Sequence, residues 1–159
     1  MAHGNYKDEI NLIYHADDEE EYRIFGDTLV ENNINNIELN INENKSKLVS
    51  KCKLKKGDNN FKIILKNKIK DLQHMYNSCD NLKNIEELKY LNVKYCTNFS
   101  GMFTYCLSLK DITPLKNWNV PNGTNFSWMF KYCSLLKDIT ILKNWNIDEN
   151  TFKKIFNYN

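Results

Sequence analysis

Three cysteines recur at one interval, and this thiol column is the first feature of the sequence that could do chemistry. Cys79, Cys106 and Cys133 stand 27 residues apart (106−79 and 133−106). Thiolates can hold a metal ion or attack an electrophile. Zinc thiolate sites, however, are built from closely spaced pairs such as C-x-x-C, and the chain contains none. The histidines are His3, His15 and His74, and His74 shares its repeat phase with Gly101 and Trp128, so that position carries no fixed chemistry. No Gly-rich phosphate loop, H-E-x-x-H or G-x-S-x-G is present. The expectation is therefore no enzyme, no cofactor and no metal, with the cysteines as small, reduced, buried side chains.

Polar columns are the remaining candidates. Lys83/Lys110/Lys137 and Lys89/Lys116/Lys143 would each stack three cations, which repel unless anions intervene. Asn84/Asp111/Asp138 lies one residue from the first column, so the signs largely cancel. A net charge of +2 likewise argues against a nucleic-acid groove. Glu86, Thr113 and Thr140, with Asn84, Asp111 and Asp138, flank the inward Ile85/Ile112/Ile139. The expected partner-binding face is therefore Lys83, Asn84, Glu86, Lys110, Asp111, Thr113, Lys137, Asp138 and Thr140, turned toward a protein partner. The bland alternative is a solvated surface with no partner. A rival from another class is adhesion to glycan or a cell surface through exposed aromatics such as Tyr105 and Tyr132. Trp118 and Trp145 are expected to stack in the interior. Asn92, Asn119 and Asn146 are expected to form a hydrogen-bonded ladder.

The element that must position these residues is a sentence written three times. From Met75, Met102 and Met129 the chain reads MYNSCDNLKNIEELKYLNV, MFTYCLSLKDITPLKNWNV and MFKYCSLLKDITILKNWNI. A period of 27 residues (102−75 and 129−102) with this leucine pattern is the signature of a leucine-rich repeat. Phe126, Met129, Phe130 and Cys133 fall at i, i+3, i+4 and i+7, which predicts a short helix over 124–133 with Thr124 as its cap. Leu136, Ile139, Leu142 and Trp145 predict an extended segment whose copies lie side by side as in a parallel sheet.

Before the repeats the period is two. Glu9 to His15 and Glu21 to Phe25 read as a hairpin around the acidic turn Asp17 to Glu20. Asp27 could start a short helix through Val30, and three further strands are predicted over 36–41, 47–54 and 60–65. The fold expectation is thus an α/β (mixed α+β) leucine-rich-repeat solenoid. It has about three 27-residue coils with parallel strands and short helices, preceded by a small antiparallel β capping lobe. The division is 1–66 for the lobe, 67–147 for the solenoid and 148–159 for a C-terminal capping helix.

At Met102-Phe103, Cys106, Leu109, Trp118-Asn119 and Thr124-Asn125 the chain resembles the BspA-like leucine-rich-repeat family. The likeness is to its N-x-x-x-M-F-x-x-C-x-x-L…W-N branch, found in surface proteins of mycoplasmas and other bacteria and in protists. The phrase IFGDTLVENN, Ile24 to Asn33, also looks like a leader preceding such repeats. The resemblance implies a parallel-stranded solenoid used for protein binding or adhesion, with no shared catalytic site. Leu91 replaces the tryptophan, and Tyr76 the phenylalanine, in the first repeat.

The chain of 159 residues, 42% hydrophobic and 26% charged, fits a globular class. No apolar run reaches the roughly 18 residues of a membrane span, and MAHGNYKDEI lacks the apolar core of a secretory signal. Five cysteines are an odd number, and three sit at one repeat phase. Both facts fit free thiols and a cytoplasmic location, with the extracellular surface as the alternative.

Overall fold

Ile10, Leu12, Tyr14 and Ala16 alternate with Asn11, Ile13 and His15, and this alternation buries one face of strand β1 (Glu9–Ala16). The computed structural model describes residues 8–82 and 84–156. After β1 come β2 (Glu21–Arg23), helix α1 (Asp27–Asn33), β3 (Ile37–Ile41), β4 (Asn44–Ser46), β5 (Lys51–Lys53) and β6 (Gly57–Leu65). The main sheet has the order β1-β6-β3-β4, and β2 pairs with β5 in a second, two-stranded sheet; every pairing is antiparallel.

The expected hairpin of β1 with β2 is not formed. β1 pairs with β6 from Glu9↔Ile64 to Ala16↔Gly57. An eight-residue strand needs a partner of matching length, and β6 has nine residues where β2 has three. β6 also brings Phe61 and Ile63 to the same core. Phe61 meets the Tyr14 ring at 4.8 Å, and the Tyr14 hydroxyl donates to the Ile24 carbonyl at 2.6 Å.

The repeat region corrects the main fold expectation. Among the described residues no parallel strand forms, and parallel contact is limited to the isolated bridges Asp71–Asn98 and Asn98–Asn125. No helix occupies 124–133. The segments expected to be strands instead contain 3-10 turns at Glu86–Tyr90, Thr113–Leu115 and Thr140–Trp145. The protein is a small antiparallel β-sheet domain with few helices, and it is not the leucine-rich-repeat solenoid that the period suggested. The only α-helix after β6 among the described residues is α2 (Glu149–Lys154), capped by Asp148, whose carboxylate accepts from Thr151 N. Residues 157–159 of the expected capping helix lie outside the described residues.

The physical reason lies in the backbone. Every fourth residue of the M-F-x-x-C stretches takes a positive φ: His74 (54°) and Ser78 (58°), Gly101 (61°) and Tyr105 (60°), Trp128 (60°) and Tyr132 (64°). A left-handed residue ends an α-helix and is equally foreign to an extended strand. The chain instead makes consecutive tight turns, as in Met75 N to Leu72 O, Asn77 N to His74 O and Cys79 N to Tyr76 O. Apolar side chains separated by three and four residues still share one side of such a run, which is why the pattern imitated a helix.

Successive copies of these turns hydrogen-bond to one another. Leu72, His74, Tyr76 and Ser78 donate their backbone N–H groups to Asn98, Ser100, Met102 and Thr104. Phe99, Gly101, Phe103 and Tyr105 donate in the same way to Asn125, Ser127, Met129 and Lys131. Trp128 and Phe130 donate to Lys154 and Ile155 at the end of α2, which closes the series. At the other end Gly26 N donates to Met75 O, and one hydrophobic core runs from Ile10 to Ile155.

Candidate binding surface

The repeated residues face inward and are engaged there. Rings of Phe25, Tyr76, Phe103, Phe130 and Phe156 follow one another at 5.9, 5.5, 5.2 and 5.8 Å. Trp118 and Trp145 stack at 5.9 Å, as their shared phase led us to expect. Their indole N–H groups donate to Leu88 O at 2.7 Å and Leu115 O at 2.9 Å. Cys106 and Cys133 donate to the carbonyls of Tyr76 and Phe103, each at 3.0 Å. Burial pushes the Cys96 and Cys133 thiols up to about 12 and raises Cys79 and Cys106 as well, so these groups stay protonated. No group of three or more His, Cys, Asp or Glu among the described residues is arranged to hold a metal.

The expected asparagine ladder is absent among the described residues. Asn92 accepts from Lys94 N within its own turn, while Asn119 and Asn146 are exposed and Asn146 has φ 53°.

Of the residues expected on the binding face, Lys83 lies outside the described residues. Asn84, Glu86, Lys110, Asp111, Thr113, Lys137, Asp138 and Thr140 are all exposed. No strand lies beneath them. Asn84, Asp111 and Asp138 each accept from the backbone N–H two residues on, at 2.7, 2.8 and 2.9 Å, and so start the three 3-10 turns. The bonds from Thr140 hold the Asp138 carboxyl below its ordinary value. Adjacent 3-10 turns pack together, which brings these residues onto one edge. Their acceptors are thus already committed to local structure.

A different surface leaves large apolar side chains exposed. Tyr105 and Tyr132 stack at 4.4 Å although 45% and 41% of each remains accessible. Lys131 sets its ammonium 5.0 Å from the Tyr132 ring centre and 5.3 Å from that of Trp128, which is itself 48% exposed. Leu107 and Leu135, two and three residues beyond the two tyrosines, are exposed as well. Tyr105, Trp128 and Tyr132 all hold positive φ, an uncommon state for bulky residues. It turns their side chains out of the interior column.

Beside Trp128 opens a cleft of about 450 Å³ lined by Gln73, His74, Ser100, Asn125, Ser127, Trp128 and Lys154. Three repeat phases contribute: Gln73/Ser100/Ser127, which Lys154 continues, His74/Gly101/Trp128, and the phase of Asn125. Gly101 leaves room in the second, where a Cβ would come within 2.3 Å of the His74 ring. His74 Nδ1 lies 3.0 Å from Asn77 Nδ2; an amide nitrogen only donates, so Nδ1 accepts. Sequence reasoning had named Tyr105 and Tyr132 but passed over Trp128 because its phase holds His, Gly and Trp. That variability was the available signal, although the phase has no single exposure: His74 is half-buried, Gly101 is buried and Trp128 is exposed.

The chain belongs to the family described as "Mycoplasma protein of unknown function, DUF285", whose model matches residues 43–159. No curated protein and no solved structure matches it. The matched span takes in β4, β5, β6 and all three repeats, which ties the chain to a mycoplasma-type repeat family. No helix among the described residues is long and apolar enough to cross a membrane.

Proposed function

We propose that this chain is a non-enzymatic interaction module that binds a protein partner through the ridge of Tyr105, Trp128, Lys131 and Tyr132. The observation that carries this reading is the exposed Tyr105–Tyr132 stack at 4.4 Å. Tyrosine and tryptophan held rigidly at a surface supply large contact area at little entropic cost, and such residues dominate binding hot spots. Here the backbone hydrogen bonds of Tyr105 N to Lys131 O and Trp128 N to Lys154 O fix the ring positions before any partner arrives.

Kinship with BspA-like surface proteins, in the repeat motif and not in the fold, is part of the same proposal. The edge bearing Lys110, Asp111, Lys137 and Asp138 serves as a secondary, polar contact. Its lysines have the freedom for it, while Asp111 and Asp138 are held by their own turns.

The test is a photo-crosslinking amino acid placed at position 105 or 132, followed by direct binding measurements with the purified crosslinked protein. Tyr105→Ser/Tyr132→Ser, which copies Ser78 of the first repeat, should weaken that complex by about tenfold or more. Asp111→Lys/Asp138→Lys should change it less. Equal affinity of the double tyrosine variant and the wild type would remove the ridge from the proposal.

A further inference from the structure

We infer that the cleft beside Trp128 is a binding site for a carboxylate-bearing saccharide. This goes beyond the protein-contact reading, because it assigns a second ligand class to a cleft that shares Trp128 and Lys131 with the ridge and adds Gln73, Ser100, Asn125, Ser127 and Lys154. The cleft's volume of about 450 Å³ falls within the range of roughly 300 to 1,000 Å³ usual for small-ligand sites. Its exposed lining is mostly apolar surface, to which the Trp128 ring contributes, with polar groups set around it. Gln73, Ser100, Asn125 and Ser127 present neutral amides and hydroxyls, which can both donate and accept, matching the hydroxyl and acetamido groups around a sugar ring.

Several of these groups have capacity to spare. Asn125 uses Oδ1 on Ser127 N, at 3.1 Å, while its amide nitrogen has no partner among the described residues. Gln73 accepts from Asn98 through Oε1 at 3.3 Å, and its own amide nitrogen is likewise unpaired there. Trp128 supplies an exposed indole on which the C–H face of a pyranose can lie.

The charge selects among sugars. Lys154 lines the cleft without an ion-pair partner among the described residues, and Lys131 stands over Trp128 beside it. No carboxylate lines the cleft. A neutral saccharide would leave Lys154 without an anion, whereas a uronic acid would supply one and form a charge-assisted hydrogen bond.

Calorimetry on the whole chain, with hyaluronan tetrasaccharide as probe and chitotetraose as its uncharged counterpart, decides the matter. Hyaluronan tetrasaccharide should bind about tenfold or more tighter than chitotetraose. Lys154→Gln should reduce it to the chitotetraose level, and Trp128→Ala should weaken both. Tyr105→Ser/Tyr132→Ser, the variant that disables the proposed protein contact, should leave saccharide binding unchanged. Far-ultraviolet circular dichroism confirms that each variant folds. The inference is overturned if neither saccharide binds, if hexaglutamate binds as well as hyaluronan tetrasaccharide, or if a folded Trp128→Ala retains full affinity.

Discussion

The thiol of Cys106 donates to the backbone carbonyl of Tyr76, thirty residues earlier, at 3.0 Å. Cys133 repeats the contact with Phe103 across the same thirty residues. Two of the three column cysteines are thus small hydrogen-bond donors that join one turn to the preceding one, while Cys79 reaches only Asn77 O of its own turn, at 3.8 Å. A thiol held this way is a poor nucleophile, because the thiolate would lose both its proton and its bond. Ellman's reagent should therefore find the native protein nearly inert. Half-buried Cys52, pushed up to about 11, should react first, and Cys79, Cys96, Cys106 and Cys133 only on unfolding. More than one thiol reacting as fast as free cysteine at pH 8 would contradict this. Cys106→Ala should lower stability by about 1–2 kcal/mol in urea titration.

Tyr76 carries the opposite lesson. Its ring continues the stack between Phe25 and Phe103, yet its buried hydroxyl has no hydrogen-bond partner among the described residues. The equivalent residues are Phe103 and Phe130. Tyr76→Phe should therefore raise stability, by up to about 1–2 kcal/mol, since it removes an unsatisfied polar group without changing the ring. A loss of stability would show that the hydroxyl is paired in solution.

Gly26 joins the sheet region to the first turn. A Cβ there would lie 1.9 Å from the His74 carbonyl oxygen, and Gly26 N donates to Met75 O at 2.9 Å. Its φ of −71° is ordinary, so the constraint is steric alone. Gly26→Ala should cost about 1–3 kcal/mol through forced separation of these segments. Gly57→Ala is the control, with no atom within 4 Å of the added carbon and a φ of +95°. It should cost about 1 kcal/mol from conformation alone.

Acid should weaken the fold. Hydrogen bonds from Ser50 hold Asp27 low, with Arg23 adding to the effect; Lys66 does so for Glu38, and Thr140 and Thr151 for Asp138 and Asp148. A depressed folded pKa adds stability above the ordinary values of 3.8 for Asp and 4.5 for Glu, and that stability is lost as the pH falls through the folded values. Asp80, raised by burial, acts in the opposite sense, its contribution being complete below 3.8 and lost as the pH rises through its folded value. Four groups oppose one, so the urea midpoint should fall between about pH 5 and pH 3. A midpoint that stays level or rises over that interval would show that the carboxylates are no better placed folded than unfolded.

The interior was legible in the sequence, whereas the backbone that carries it was not. The 27-residue phase identified the inward columns of cysteine, leucine and tryptophan, because identity at a fixed interval records what must fit between neighbouring copies. Periodicity then misled, since i, i+3, i+4 is shared by an α-helix and by consecutive turns. Deciding between them requires knowing that Trp128 and Tyr132 adopt positive φ, and nothing in an aromatic residue's identity announces that. The pairing of β1 with β6 was hidden for another reason, as local alternation shows that a strand exists but not which distant strand completes it. At the surface, Asn84, Asp111 and Asp138 were expected on a strand face; they are exposed, but they start 3-10 turns through hydrogen bonds to the backbone two residues on, which residue type alone does not reveal.

The β1–β6 pairing also fixes an order of events during synthesis. When Ala16 leaves the ribosome its partner Gly57 is still 41 residues (57−16) from emerging. At roughly 5–20 residues per second, β1 waits some seconds with its apolar side uncovered. Once β6 arrives the situation reverses. Each later turn emerges beside a completed neighbour that already offers N–H groups to its carbonyls. The newborn chain is therefore most vulnerable to aggregation and proteolysis early, before residue 65, and increasingly protected with every repeat added thereafter.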